Sequence, residues 1–282
     1  MAERAETGEH GQLEGAEQQQ AERHAPLRAK VIHEIIREEG EAELERGPAA
    51  LAWSGLAAGL SMGFSFLVQA LIHAMLPDAP WRPLVASFGY TVGFAVVVLG
   101  RQQLFTESTL TAVLPVLTRP DLKTAAALGR LWSIVLVANL IGASIFAALL
   151  RLPGVVPPEV GPSLAELGAE AVRGPFWPTL GRAVFAGWLI GLMVWLLPSA
   201  RSARLLVIVL LTYVVSLGRF SHVVAGAAEA AYAVLTGQAS VARYLDAFLI
   251  PTLLGNVIGG AALVALLNHA PVAPELDEEP GG

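Results

Sequence analysis

The sequence predicts an all-α polytopic membrane protein of six transmembrane helices, arranged as two inverted three-helix repeats whose second and fifth helices are broken. Three observations predict it. Of 282 residues, 54% are hydrophobic and only 15% charged, against roughly a quarter charged in a soluble domain. The apolar residues gather into membrane-length segments. Two of those segments are too long for one span and carry a Gly-Arg step near the middle.

The remaining composition agrees. Mean hydropathy is +0.58, and most acidic residues lie before Gly47, within 157–170, or after Pro274. The net charge of −6 therefore belongs mostly to tails and loops. Cysteine is absent, which excludes disulfides, thiolate metal sites and cysteine nucleophiles. The first 25 residues are rich in Glu, Gln and Ala and show no apolar core of a cleavable signal peptide.

Residues 1–26 read as a disordered polar tail. Residues 27–47 read as an amphipathic cytoplasmic helix: Leu27, Val31, Ile35 and Leu44 share one face, which would lie on the membrane surface. A solvated helical leader is the alternative. Residues 48–269 form the transmembrane domain, and 270–282 an acidic C-terminal tail. Apolar segments run over 49–76, 85–117, 125–150, 177–197, 203–235 and 247–267, each able to supply the roughly 20 residues a span needs.

The second and fifth segments are interrupted at Leu99-Gly100-Arg101-Gln102-Gln103 and at Leu217-Gly218-Arg219-Phe220-Ser221-His222. A Gly-Arg step at mid-membrane continues a helix badly and places a charge where it is costly. The two Leu-Gly-Arg steps stand 118 positions apart. The tripeptide also occurs at 128–130 and 180–182, near span ends, so a second landmark is needed. Asn139-Leu-Ile-Gly and Asn256-Val-Ile-Gly supply it, 117 positions apart. Halves with an odd number of spans must have opposite topology, and broken helices at matching places point to a transport site near the midplane. Irregular backbone at that depth is tolerated where it lines a cavity or is buried in protein. Gly100, Gly218, Asn139 and Asn256 are thus the structural repeat residues.

Eight basic residues flank the spans on the N-terminal side and five on the other, which favours both termini in the cytoplasm. Glycines spaced by four at 55, 59 and 63, and at 187 and 191, join Gly255, Gly259 and Gly260 as close helix contacts. An intramembrane enzyme is not expected: no metal-ligand pair, Ser/Lys or Ser/His dyad, or paired aspartates lie at membrane depth. Neither a cofactor nor a nucleic-acid partner is expected.

Leu104-Phe105-Thr106 after the first break, Asn139-Leu-Ile-Gly-Ala, a histidine just after the second break, and Pro251-Thr-Leu-Leu-Gly-Asn-Val-Ile-Gly-Gly occur in this order. Together, over about 48–267, they resemble the formate/nitrite transporter family. The resemblance implies an aquaporin-like fold assembled as a homopentamer in the bacterial inner membrane, with one pore per protomer. It implies conduction of small monovalent weak-acid anions, either inorganic or carboxylate. The Asn-Pro-Ala repeats of aquaporins are missing, since neither Asn139 nor Asn256 precedes proline.

Carried over by position, the resemblance makes Thr106 the loop threonine, Leu104 and Phe105 the apolar constriction, and His222 the central histidine. Tyr213 or Val214 would close the outer constriction. Departures stand at Gln103 and Ser221, where the family commonly has acidic residues, and at Gly187 and Gly226, where it has asparagines. Arg101 and Arg219 are additions.

The chemistry is physical. An anion in an apolar slit suffers a large desolvation penalty. Two half-helix N-termini would offer free N–H groups to it. A histidine with an ordinary pKa of about 6.5 would share a proton with a weak acid, its imidazole neutral at rest and cationic when an anion arrives. Arg101 and Arg219 would attract anions at the vestibules, or tie down loop carbonyls, or pair with Glu107 or Glu229. Two other classes stay open: a pore for a neutral or cationic solute such as ammonia, water or a polyol, and a non-conducting scaffold or sensor.

Overall fold

The first described residues enter α1, Ala29–Glu45, and Gly47 then turns the extended chain into α2, Pro48–Met75. The computed structural model describes residues 27–273; the tail expected over 1–26 and most of the acidic tail expected over 270–282 lie outside them. Pro48 opens α2 at a position where its missing N–H has no helical partner to lose. At 28 residues and ~1.5 Å per residue, α2 exceeds the thickness of a bilayer's hydrocarbon core.

Helix α3, Arg82–Leu99, stops at the first break, and the chain resumes as two short helices, α4 at Phe105–Ser108 and α5 at Leu114–Thr118. The Asp121 side chain accepts from the Thr124 N–H at 2.9 Å, capping α6, Leu122–Leu149. A short 3₁₀ turn leads into α7, Gly161–Ala171. Helix α8, Phe176–Ala200, passes through a turn at Arg201 into α9, Arg204–Leu217. After the second break come α10, Ala225–Leu235, and α11, Val241–His269. Helix α11 widens to π-helical winding over Tyr244–Leu249 and Ile258–Ala265. Among the described residues every regular element is helical. Five apolar stretches are long enough to cross a membrane, one of them the bent α8–α9 stretch Phe176–Leu217.

Helix α2 packs on α3 and α6, α8 packs on α11 and α9, and α3 lies against α9. Two glycine seams set how closely these helices approach. A Cβ on Gly59 would lie 2.1 Å from the Asn139 carbonyl oxygen in α6, and one on Gly187 would lie 2.3 Å from that of Asn256 in α11.

Helix α1 leaves Val31 and Ile35 exposed on one face and buries Ile32, His33, Ile36, Gly40 and Leu44 on the other. It lies across the end of the bundle on α5, α6 and α8, and Leu44, expected on the same stripe as Val31 and Ile35, packs inward instead. His33 Nε2 stands 2.9 Å from His269 Nδ1, joining α1 to the end of α11. One expectation needs correction: α7 falls in a segment read as a loop. It forms because Val160, Leu164 and Gly168 share a face buried against α10 and α2.

Both breaks fall at the Leu-Gly-Arg steps, but glycine is not the residue that bends them. Gly100 and Gly218 keep right-handed helical angles, and the following Arg101 and Arg219 take φ of 51° and 52°. The Gln102 N–H then reaches back to the Val97 carbonyl at 3.0 Å, and Phe220 N–H to that of Val215 at 2.9 Å, a helix-ending pattern in which glycine usually holds the left-handed position.

Candidate pore centre

Each break loop is pinned by one asparagine. Asn139 Oδ1 accepts from Phe105 N–H at 2.9 Å, and its Nδ2 donates to the Gln103 carbonyl at 3.0 Å and the Gly55 carbonyl at 2.7 Å. Asn256 repeats this: Oδ1 accepts from Val223 N–H at 2.8 Å, and Nδ2 donates to Ser221 at 2.9 Å and Ala183 at 2.8 Å. Backbone groups freed by breaking a helix in an apolar setting need partners. An amide, with one acceptor and two donors, supplies them on both sides of a single residue.

The side chains between the clamped positions meet at the centre. Thr106 Oγ1 and His222 Nε2 are 2.8 Å apart, with Thr106 0% and His222 1% exposed. The histidine's other nitrogen faces the N-terminus of α10 and accepts N–H donors from Ala225 at 3.1 Å and Val224 at 3.3 Å. Nδ1 is therefore unprotonated, and the ring's proton sits on Nε2, directed at Thr106. An imidazolium would aim Nδ1–H at two amide hydrogens. The Phe94 ring meets the imidazole edge-on, centroids 4.9 Å apart.

A cavity lies on each side of this contact. On the α1 side, one of about 620 Å³ is lined by residues including Glu43, Arg46, Gln103, Glu107 and Arg204. On the α7 side, one of about 100 Å³ reaches His222 itself, with Ser221, Phe220, Arg182 and Glu229 along its wall. Arg101 and Arg219 line opposite cavities, and their partners are not the expected Glu107 and Glu229. Arg101 pairs with Glu39 of α1, and Arg219 with Glu170 of α7. Arg46 Nη1 donates to Gln103 Oε1 at 2.8 Å, and Thr111 Oγ1 donates to Glu43 at 2.6 Å. Burial pushes the Glu43 carboxyl up to about 7, against the hydrogen bonds from Thr111 and Gln103.

The remaining site residues divide. Leu104 is fully buried, next to Gln103 of the α1-side cavity wall. Phe105 turns outward from them, its ring 5.7 Å from that of Trp132 in α6. Tyr213 and Val214 line neither cavity. The Tyr213 hydroxyl donates to the Leu84 carbonyl at 2.9 Å, its ring rests on Phe88, and Val214 is exposed. The buried face of α9 is Ile208, Thr212 and Val215. Gly187 sits in the helix seam on Asn256, not on a cavity wall. The aromatics that do approach the central contact or a cavity wall, Phe94 and Phe220, were not singled out. Neither were Glu107 and Glu229 as wall groups, although carboxylates inside apolar runs are a signal for function.

Comparison with known proteins agrees with this architecture. The sequence profile described as "Formate/nitrite transporter" matches residues 30–270. "Inner membrane protein YfdC" of Escherichia coli (strain K12) is 39% identical over 254 residues, covering 90% of this chain and 82% of that protein. "Formate channel FocA" of Haemophilus influenzae is 23% identical, covering 77% and 84%. A solved structure, "Pentameric formate channel with formate bound", superposes with a TM-score of 0.69 at 20% identity, covering 80% of this chain and 98% of that one. With the profile spanning most of the chain, the chain belongs to the formate/nitrite transporter family.

Proposed function

We propose that this protein is an inner-membrane pore for small monovalent weak-acid anions of the formate and nitrite kind, with proton-linked passage. The reading gives it six spans in two inverted repeats of an aquaporin-like fold, both termini in the cytoplasm, and a homopentameric assembly with one pore per protomer. The observation that carries it is the buried Thr106–His222 contact, held between two asparagine-pinned breaks with a cavity on each side. Relatives named as formate channels supply the substrate class.

On this reading the solute passes Arg101 and Gln103, crosses a seal made by Leu104 with Phe105 behind it, meets Thr106 and His222, and leaves past Ser221 and Arg219. A neutral acid crosses that seal at far lower energy than its anion, which would lose its hydration without an adequate counter-charge.

The test is an uptake panel in proteoliposomes: formate, nitrite, lactate and hydrosulfide against ammonia, water and a small polyol, at several pH values. Weak-acid flux rising as pH falls is expected. The His222→Phe variant is expected to lose flux by about two orders of magnitude, on the scale of a positioned hydrogen-bonding group at a reacting centre, while assembly is unchanged. Passage of neutral solutes with no weak-acid flux in the unmodified protein would overturn the reading.

A further inference from the structure

Each cavity holds an arginine and a glutamate that the central seal does not engage. They are Arg182 and Glu229 on the α7 side, and Arg204 and Glu107 on the α1 side. The Nε–H groups of Arg182 and Arg204 are buried without an acceptor. Arg182 has one long contact, Nη2 to Thr179 Oγ1 at 3.4 Å. Among the described residues Glu107 and Glu229 form no ion pair, since the nearby break arginines are taken by Glu39 and Glu170. Charged groups withdrawn from bulk water are normally paired. Here an unmatched donor and an unmatched carboxyl share one cavity twice over.

We propose that each cavity is a proton-exchange chamber, in which Arg182 or Arg204 holds a small weak-acid anion while Glu229 or Glu107 transfers a proton to it or from it. This rests on the function proposed above and names the proton carrier that His222, with Nδ1 occupied by two backbone donors, does not provide. A carboxylate anion accepts one hydrogen bond from a guanidinium N–H and one from a carboxylic O–H, which is the pair of donors each chamber offers.

The step balances. In the α7-side chamber the Glu229 O–H bond breaks, its electron pair stays on the Glu229 carboxylate, and the proton bonds to the anion's oxygen. Water at the mouth returns a proton to Glu229. The neutral acid crosses the seal, loses its proton to the Glu107 carboxylate, and Glu107 releases it to water on the α1 side. Gly226 and Glu229 follow His222 on the α10 face that lines the cavity. Helix α10 starts at Ala225, and the four residues of rise to Glu229 carry it about 6 Å further from the seal along that face, so the acid forms before the seal is reached. The charged or titratable groups facing Glu229 are Tyr90, Glu170, Arg182, Arg219 and His222. Those facing Glu107 are Glu38, Glu39, Glu43, Arg46, Arg101 and Arg204. A second negative charge beside Glu170 or Glu43 would repel an arriving anion, so each chamber fills when its glutamate is protonated.

Formate uptake by the full-length protein in proteoliposomes, followed across pH with internal pH recorded, tests this with the E229Q, E107Q, R182Q and H222N variants and E229D as the conservative control. E229Q and E107Q are expected to lower proton-driven uptake about tenfold or more, the scale of losing a positioned proton donor, and to flatten the pH profile. E229D restores the slope. R182Q raises the half-saturating formate concentration with the slope kept, and H222N slows flux with the slope kept. Infrared difference spectra of the unmodified protein on adding formate should show a protonated-carboxyl band that E229Q removes, a readout independent of flux. If both glutamine variants keep the slope, or H222N alone flattens it, the chambers are not proton-exchange sites and the weak-acid pore stands. If the unmodified protein carries no weak acid, the proposed function falls and the chambers with it.

Discussion

The two break loops have one backbone and two chemistries. Both end a helix with arginine in the left-handed region, and both are held by an asparagine bonded to the same three kinds of backbone group. Counted from the clamped Phe105 and Val223, the residue before is Leu104 in one loop and His222 in the other. Six residues after them stand Thr111 and Glu229. Thr111 carries its carboxylate second-hand, as a hydrogen bond to Glu43 of α1; Glu229 carries its own. Backbone demands are identical at the two breaks because the same freed N–H and carbonyl groups must be satisfied. The residue between the two clamped backbone groups is released from that demand and has diverged, apolar as Leu104 in one loop and hydrogen-bonding as His222 in the other.

The comparison is broken most severely by removing a clamp. Asn139→Ala and Asn256→Ala each leave one buried N–H and two carbonyls without their partner, and each is expected to lower stability by about 2–4 kcal/mol. Thermal unfolding in detergent measures it, and markedly unequal losses would show that the two clamps are not equivalent.

The borrowed carboxylate sharpens the contrast next. Glu43 lies on a helix that is not part of the break, with its carboxyl raised to about 7 when docked and ordinary when α1 is detached. The docked state therefore holds the extra proton. Docking is strongest below the ordinary carboxyl value of about 4.5, weakens as pH rises toward 7, and levels off above it. Hydrogen exchange over 29–45, corrected for its intrinsic pH dependence, should show protection falling across that window, and Glu43→Gln should make it level.

The smallest effect concerns the arginines. Arg101→Gly and Arg219→Gly relieve a left-handed conformation worth about 1 kcal/mol and lose exposed ion pairs of about 0–1 kcal/mol. Each is expected to change stability by less than about 1 kcal/mol. A larger loss in one would mean that its pair with Glu39 or Glu170 holds the peripheral helix in place.

Much of the architecture was legible because membranes leave strong traces. Over-long apolar runs with Gly-Arg inside them located both breaks, and Asn139 and Asn256 stood out by spacing. What the asparagines do was not legible, since their partners lie 34 and 33 residues away. The path-facing aromatics were missed for a related reason. Rejecting Tyr213 requires the rotation of α9, whose faces are so uniformly apolar that the sequence carries no phase, and Phe220 lies in the break beyond it. Helix α1 carries a second apolar face, Ile32 and Ile36, that packs on protein and was equally hidden among hydrophobic residues of the same kind as Val31 and Ile35. Helix α7 was hidden by the acidic residues on its exposed side.

The clamp distances also set an order of events during synthesis. Asn139 closes the first break within the first half of the chain, over 34 residues, and Asn256 closes the second over 33, while the Thr106–His222 contact spans 116. Short closures need little chain entropy and form early; long ones wait for the distant segment to exist. Each half can therefore finish its own broken helix before the other is available. The central Thr106–His222 contact comes into being only at the last step, when the two completed parts meet. A nascent chain released between those events would be a membrane-seated half with its loop already ordered and nothing yet open across it.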